Sequence, residues 1–590
     1  MEGKRMKALL ANAMHQTIHH TKPQTEHYTK PQTEHYTKPQ TEHHTKPQTA
    51  HHTKLQTAHH TNKTMLIAFA AMSFLWIIPL KASACTAVYV GKGASDDGTV
   101  IIARSNDSQG VMGNYVKIME AKNKGGRKMP VDVEQTVLEE LPEETYRCIA
   151  TPWFDSTAAA NGPAIDAAVC TNEKGVAMTM SVTAFSNKKA LKADPLVKKG
   201  LTENTANDLV VCQAESAREA TETLLGLIDT YGSSESNIAL ITDQEETWYI
   251  EMYTGHQYAA VKLPQDKVSV FGSEFQLEYI SDYEDAILSP ELESLAEDKD
   301  FAVYGENHEL NLLSTYSGPK TVKDYCHMRT WIGHQVLAPS TFKYDYDKKV
   351  NYPLCFVPAH KVSVQDVMEL LRNRYEGTTY SSDETKRKDI LPIGTVTALS
   401  VHVVQVYPDL PSDMCTLLWE STGPSVYGVF VPISNVALSV SEPYGRNQST
   451  TEQGKFDTEQ YPYYRFKELT TLCDGKKNRE IYGDPVRAYW HEAETAMIKG
   501  TKEVLEKAAG LDHDSAASYI TEYCNGLQDQ AFADSGEILD DLRWYKSENS
   551  CSIKYDYDYE TFELDDKLKV VDPLEIRLDP SSYEKIPETP

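Results

Sequence analysis

Cysteine is scarce in this chain, ten in 590 residues, too dilute for a scaffold built on disulfides. Positive charge is short as well: 58 Lys plus Arg face 86 Asp plus Glu, a net charge of -28. A field of that sign repels polyanions, so nucleic acid is not an expected partner. No apolar run reaches the roughly 20 residues of a membrane-crossing helix, so no stable span is expected. The signatures H-E-x-x-H, P-loop, G-x-S-x-G and dinucleotide fingerprint are all missing. Eight histidines after residue 84 are scattered, and Cys326-His327, the nearest Cys/His approach, are adjacent and ill-placed to share one metal. Neither a metal nor an organic cofactor is therefore expected. Gly (30) and Pro (28) stand near their usual share, which leaves a globular bulk rather than a fibrous or disordered one.

What is present divides at residue 84. Ahead of it lie ten Lys/Arg and four Glu, a net of +6, so 48 basic and 82 acidic residues remain behind it, a net of -34. From Thr21 an octapeptide repeats: TKPQTEHY twice, then TKPQTEHH, TKPQTAHH and TKLQTAHH, ending at His60. A polar repeat has no apolar face to bury, and residues 1–64 are expected to be a disordered leader. Met65 to Leu80 is uncharged and mostly apolar, followed by Lys81 and Ala82-Ser83-Ala84. A short apolar stretch before an A-x-A site reads as a secretory signal over 65–84, cleaved after Ala84. A signal of that length points to translation starting at Met65 rather than Met1. The mature protein is then exported, to a periplasm or out of the cell.

Cleavage there makes Cys85 the first mature residue, and three uses of it compete: an acylated anchor, a disulfide partner, or a nucleophile served by its own α-amine. The residues behind it form a hairpin pattern. Thr86–Val90 and Thr99–Ala103 are β-prone, and Gly91 to Gly98 is turn material. Pairing Val90 with Thr99 sets Cys85 opposite Arg104, with Asp107 just beyond. A thiol, a guanidinium and a carboxylate thus converge at one sheet end. An α-amine titrating near 8 can take the thiol proton and later deliver it to a leaving amine. Arg104 would favour the thiolate and Asp107 would hold the α-ammonium. An Arg–Asp pair that merely closes a hairpin is the plainer alternative.

Cys85-Thr86 at a processed N-terminus, followed by Ala103-Arg104-x-x-Asp107, resembles the dipeptidases of peptidase family C69. These are cysteine-type N-terminal nucleophile (Ntn) hydrolases related to penicillin V acylases and bile salt hydrolases. The resemblance continues through Asn172-Glu173-Lys174-Gly175, Trp248-Tyr249-Ile250-Glu251, Arg329-Thr330-Trp331, Tyr375-Glu376-Gly377-Thr378 and Pro408-Asp409-Leu410-Pro411. It covers about residues 85–525, leaving 526–590 as a C-terminal extension with an acidic tail. The resemblance implies an α+β fold, the αββα four-layer Ntn sandwich, with a mostly helical extension. It implies Cys85 as nucleophile, Arg104 and Asp107 in the roles argued above, and Arg329 as a second active-site arginine. Small peptides, most of all dipeptides, are the implied substrates. An N-acyl amide amidase and a non-catalytic lipoprotein anchored at Cys85 are the alternatives, and a homo-oligomer is left open. Many relatives carry Asn in an N-x-F segment where this chain has Ser273-Glu274-Phe275, and no second Asn stands near Val182. Those asparagines serve the oxyanion hole in the acylases, so backbone N–H groups are the expected donors here.

The coarse pattern agrees with alternating sheets and helices. A second hairpin is expected from Asp166 through Asn172 to Thr183, a helix from Ala206 to Asp229, and a four-strand meander from Ile238 to Phe271. Another helix is expected from its Ser363 cap to Tyr375, then strands over Thr395–Tyr407, Met414–Trp419 and Val426–Pro432. Helices are expected at Ala488–Ala509, Asp514–Tyr523 and Ser535–Tyr545, with a solvated tail beyond Tyr555. Nine cysteines besides Cys85 leave at least one unpaired within the chain.

Overall fold

The computed structural model describes residues 85–107, 113–123, 126–154, 167–181, 184–318, 324–342, 345–385, 390–448, 456–548, 552–556, 561–565 and 573–589. Residues 1–84, on which the expected leader and signal fall, and the positions Asp166, Val182 and Thr183 lie outside them.

The strands are β1 (Thr86–Val90), β2 (Val100–Asp107), β3 (Lys117–Met119), β4 (Lys128–Pro130), β5 (Leu138–Glu140), β6 (Cys148–Pro152), β7 (Ala167–Asn172), β8 (Ala177–Ser181) and β9 (Asn237–Thr242). They continue with β10 (Thr247–Met252), β11 (Tyr258–Lys262), β12 (Val268–Gly272), β13 (Ala286–Leu288), β14 (Ala398–Val406), β15 (Thr416–Thr422), β16 (Val431–Ser434), β17 (Ser552–Asp556) and β18 (Thr561–Asp565). The helices that matter below are α1 (Glu203–Val211), α2 (Ala217–Tyr231), α3 (Asp324–Leu337), α4 (Val364–Leu371), α5 (Asp484–Ala508) and α6 (His513–Glu548).

Two antiparallel sheets carry the fold, one in the order β12-β1-β2-β14-β15-β16 and the other β13-β11-β10-β9-β8-β7-β6-β3. Every residue of β1, β2 and β14 is buried. Ala87–Val90 and Val100–Ala103 therefore read as apolar runs rather than as alternations, since both faces are covered, whereas Arg104–Asp107 at the end of β2 are buried polar residues. On one face of the first sheet, Val88, Ala103, Val403 and Trp419 pack with Trp331 of α3 and Val367 of α4. On the other face, Ala87, Ile102, Val404 and Leu418 meet Val169, Ala177 and Leu240 of the second sheet. The far side of the second sheet buries Met178, Ile241 and Ile250 against Leu209 of α1 and Leu224 of α2. Mixed helices and antiparallel sheets make this an α+β fold.

The first hairpin pairs Thr86 with Ser105 and Ala87 with Arg104, two residues away from the expected register. Side chains alternate with period two, so an even shift keeps Cys85 and Arg104 on the same face. The second hairpin forms about Asn172, whose Oδ1 accepts from the Lys174 and Val176 N–H groups at 3.0 Å each. The helix expected from Ala206 breaks into α1 and α2. Asn172 Nδ2 captures the carbonyls of Val211 and Ala214 at 2.8 Å each, and Ser216 caps the new helix by accepting from the Glu219 N–H. Periodicity cannot register a distant side chain that ends a helix. The expected meander also divides. β9, β10 and β11 stay together, whereas β12 leaves them to pair with β1.

Ser363 and Asp366 form the expected capping box, but α4 stops at Leu371, and Tyr375, with φ 62°, lies outside the helical region. The first two strands expected after it form as β14 and β15, whereas the third is only Val431–Ser434, β16, and starts five residues later than expected. The two helices expected after Asp514 are one, α6. Its middle buries Gln528, which donates to the Pro432 carbonyl at 2.9 Å and accepts from the Ser441 N–H at 3.0 Å. That buried polar residue breaks the apolar pattern without breaking the helix. Nor is the whole tail solvated: Leu574 and Tyr583 are buried in the same core as α5 and α6.

Candidate active site

Cys85 immediately precedes β1 and is fully buried. The Thr86 N–H donates to Ser105 Oγ at 3.1 Å, which ties the start of the strand to its neighbour. Arg104 reaches the same point from β2. Its Nη1 lies 3.4 Å from Cys85 Sγ, its Nη2 donates to the Ala168 carbonyl at 2.8 Å, and its Nε donates to Thr179 Oγ1 at 2.9 Å. The guanidinium therefore bridges the two sheets while touching the thiol. Arg104 is in no ion pair among the described residues.

Asp107 ends β2. Its Oδ2 accepts from Arg329 Nη1 at 2.7 Å, its backbone N–H faces the Cys85 sulfur, and its Oδ1 has no partner among the described residues. Arg329 comes from α3, where its Nη1 also reaches Thr86 Oγ1 at 3.3 Å and its Nε the Leu391 carbonyl at 3.1 Å. The structure thus brings all four expected residues together, with Arg329 on the carboxylate rather than the thiol. The close approach of α3 to β12 depends on two glycines. A Cβ on Gly272 would meet the Cys326 carbonyl oxygen at 2.4 Å, and one on Gly333 would meet Val270 Cγ1 at 2.2 Å.

Burial pushes the Cys85 thiol up, and the Arg104 charge opposes that shift. Burial likewise raises Asp107 to about 6, against the pull of Arg329. A thiol in this setting needs both a proton acceptor and a nearby cation to react at neutral pH.

Four further residues were not expected from the sequence. The Ser273 hydroxyl donates to the Cys85 carbonyl oxygen at 3.4 Å, so the Ser-Glu-Phe segment does supply a polar group at Cys85. Glu274 beside it accepts from Thr330 Oγ1 at 2.7 Å and faces His327 Nδ1 at 2.9 Å. Thr179 of β8 touches His402 Nε2 of β14 at 2.8 Å. The one signal available for His402 was an imidazole between Val401 and Val403 in the mostly apolar run Ala398–Val406. Among the described residues no group of His, Cys, Asp and Glu is arranged to hold a metal ion, and no helix is long and apolar enough to cross a membrane. The described cysteines are all free thiols.

The sequence model of peptidase family C69 matches residues 84–492. The chain belongs to peptidase family C69. It is thereby an enzyme that hydrolyses peptides. The C69 relatives include a probable dipeptidase B of Lactococcus lactis, 27% identical over 479 residues, covering 78% of this chain and 95% of the relative. Another is a probable dipeptidase B of Streptococcus pyogenes serotype M1, 28% identical over 407 residues, covering 66% and 79%. Among solved structures, a mutant of the conjugated bile acid hydrolase of Clostridium perfringens aligns with 62% of this chain and 95% of its own, at 11% identity and a TM-score of 0.27.

Proposed function

We propose that this C69 member is an exported dipeptidase with an αββα four-layer Ntn fold, whose nucleophile is Cys85, freed by cleavage after Ala84. The observation that carries the reading is the convergence of Arg104 and Asp107 on a buried cysteine at the head of β1, directly behind Ala82-Ser83-Ala84. The dipeptide preference follows the names of the relatives.

In this reading the freed α-amine takes the thiol proton, and the thiolate attacks the scissile carbonyl. Arg104 stabilises the thiolate. Asp107, with one oxygen on Arg329 and the other open, holds the α-ammonium. The tetrahedral oxyanion draws on backbone N–H groups. Its collapse forms a thioester and expels the amine product, which leaves with the proton from the α-ammonium. Water, deprotonated by the α-amine, then hydrolyses the thioester and regenerates the thiol.

The test is N-terminal sequencing and intact mass of the exported protein, with turnover of Ala-Ala-type dipeptides beside penicillin V and glycine-conjugated bile salts. We expect a free Cys85 N-terminus and dipeptide cleavage that Cys85→Ala abolishes without unfolding the chain. An acylated Cys85, or full turnover by the variant, refutes the mechanism. Cleavage of the acyl amides alone refutes the substrate class.

A further inference from the structure

Arg104 is 2% exposed, and a buried guanidinium with no carboxylate partner is costly unless something else orients and balances it. Its two carbonyl and hydroxyl contacts leave one nitrogen for the thiol. The hydroxyl contact leads further. Thr179 Oγ1 accepts from Arg104 Nε at 2.9 Å and lies 2.8 Å from His402 Nε2, against 3.3 Å from the Ala168 carbonyl. The Thr179 hydroxyl and His402 Nε2 share one hydrogen bond, and a neutral imidazole makes it with either nitrogen protonated.

The register explains how the three meet. His402 pairs with Arg104 across β14 and β2, and Glu420 pairs with His402 across β15 and β14, so the three lie in one row on the face turned to the second sheet. Thr179 comes from that opposite sheet and closes the chain. We propose that Thr179 and His402 are positioning residues, which hold the Arg104 guanidinium against Cys85 through neutral hydrogen bonds and so leave its whole charge for the thiolate.

A carboxylate in the place of Thr179 would orient Arg104 equally well but would cancel its charge. The neighbours fit a neutral support. Burial, and then the charge of Arg104, hold His402 well below its usual pKa. Burial raises Glu420 well above the usual carboxylate range, with Arg104 opposing, and neither of its oxygens has a partner among the described residues. His402 is thereby uncharged at neutral pH, and burial favours the neutral form of Glu420.

The inference rests on Cys85 being the nucleophile, and the experiment separates the two claims. Alkylation of Cys85 by iodoacetamide, followed by peptide mass in the full mature chain, reads the thiol midpoint with no substrate. We expect Thr179→Val to raise that midpoint by about one unit and to lower kcat about tenfold, with KM within about threefold. Thr179→Ser and His402→Gln, which keep a polar atom in place, should recover most of both. Should Thr179→Val fail to fold, His402→Leu against His402→Gln makes the same comparison. A midpoint unmoved in the apolar variant, or a conservative variant as impaired as the apolar one, overturns the proposal. A wild type that cleaves no dipeptide overturns the proposed substrate, and the alkylation midpoint still decides the role of Thr179 and His402.

Discussion

Asp107 shows what a single residue contributes here and how it can be tested. Its carboxyl is buried, shares one oxygen with Arg329, and is raised to about 6 from an ordinary value near 3.8. A raised native pKa means that the folded chain holds the proton more tightly than the unfolded one. The stability this supplies is fully present below about pH 4 and is lost as pH rises through about 6, roughly 3 kcal/mol in all. We expect wild type to lose that much relative to Asp107→Asn across the window, in a chain that still carries residues ahead of Cys85. In a chain beginning at Cys85, the α-ammonium beside Asp107 should favour the carboxylate and shrink the loss. Denaturant titrations of both pairs at several pH values provide the measurement, and identical curves for the two forms would place the amine elsewhere. Cys85, Arg104 and Asp107 were legible as a cluster because the hairpin pattern of β1 and β2 sets three chemically distinctive side chains at one sheet end. Thr179 and Ser273 were not, since hydroxyls within strands and loops are common and only tertiary contact singles them out.

At the scale of elements, the site depends on how closely α3 lies on β12. The obstacle to a side chain at Gly272 is backbone, the carbonyl group of Cys326, so the helix itself would have to move. Arg329 would move with it, away from Asp107 and Thr86. Gly272→Ala is expected to cost about 1–3 kcal/mol and to lower kcat as well, read by thermal unfolding and dipeptide turnover. Gly226→Ala is the control. It lies in α2, a Cβ there meets nothing within 4 Å, and it should gain up to about 1 kcal/mol with turnover retained. A Gly272→Ala enzyme as stable and active as wild type would show that α3 tolerates the shift. The sequence disclosed most of these elements but not their partners. Val268–Gly272 has the same β-prone character as the strands before it, and nothing local tells that it crosses to pair with β1. The break between α1 and α2 depends on Asn172, some 40 residues away in the chain, and is invisible for the same reason.

Across the whole molecule, the family match ends at residue 492, yet the chain beyond it is structural rather than appended. α5 and α6 share a core with the first sheet: Trp490, Met497, Ile520 and Leu539 pack in the same cluster as Val403 and Trp419. The tail then closes over these helices. Tyr583 is fully buried and donates to Asp534 Oδ2 at 2.7 Å, where Tyr489 also donates at 2.6 Å, while the Leu574 N–H donates to the Ile481 carbonyl at 2.7 Å. Two anchoring residues in an acidic, Tyr-rich stretch give no periodic signal, so composition alone favoured a solvated end. The packing predicts otherwise for Tyr583→Ala, which removes a buried ring and strands a hydrogen-bonded carboxylate between the helices. A loss of about 3–5 kcal/mol is expected, with a lower Tm. Among the described residues none of the tail's contacts involves Cys85, Arg104 or Asp107, so the variant that remains folded at low temperature should keep its kcat. Thermal unfolding alongside turnover separates these outcomes: an unchanged Tm would mean that the tail adds nothing to the fold, and a lost kcat at full folding would tie it to the site.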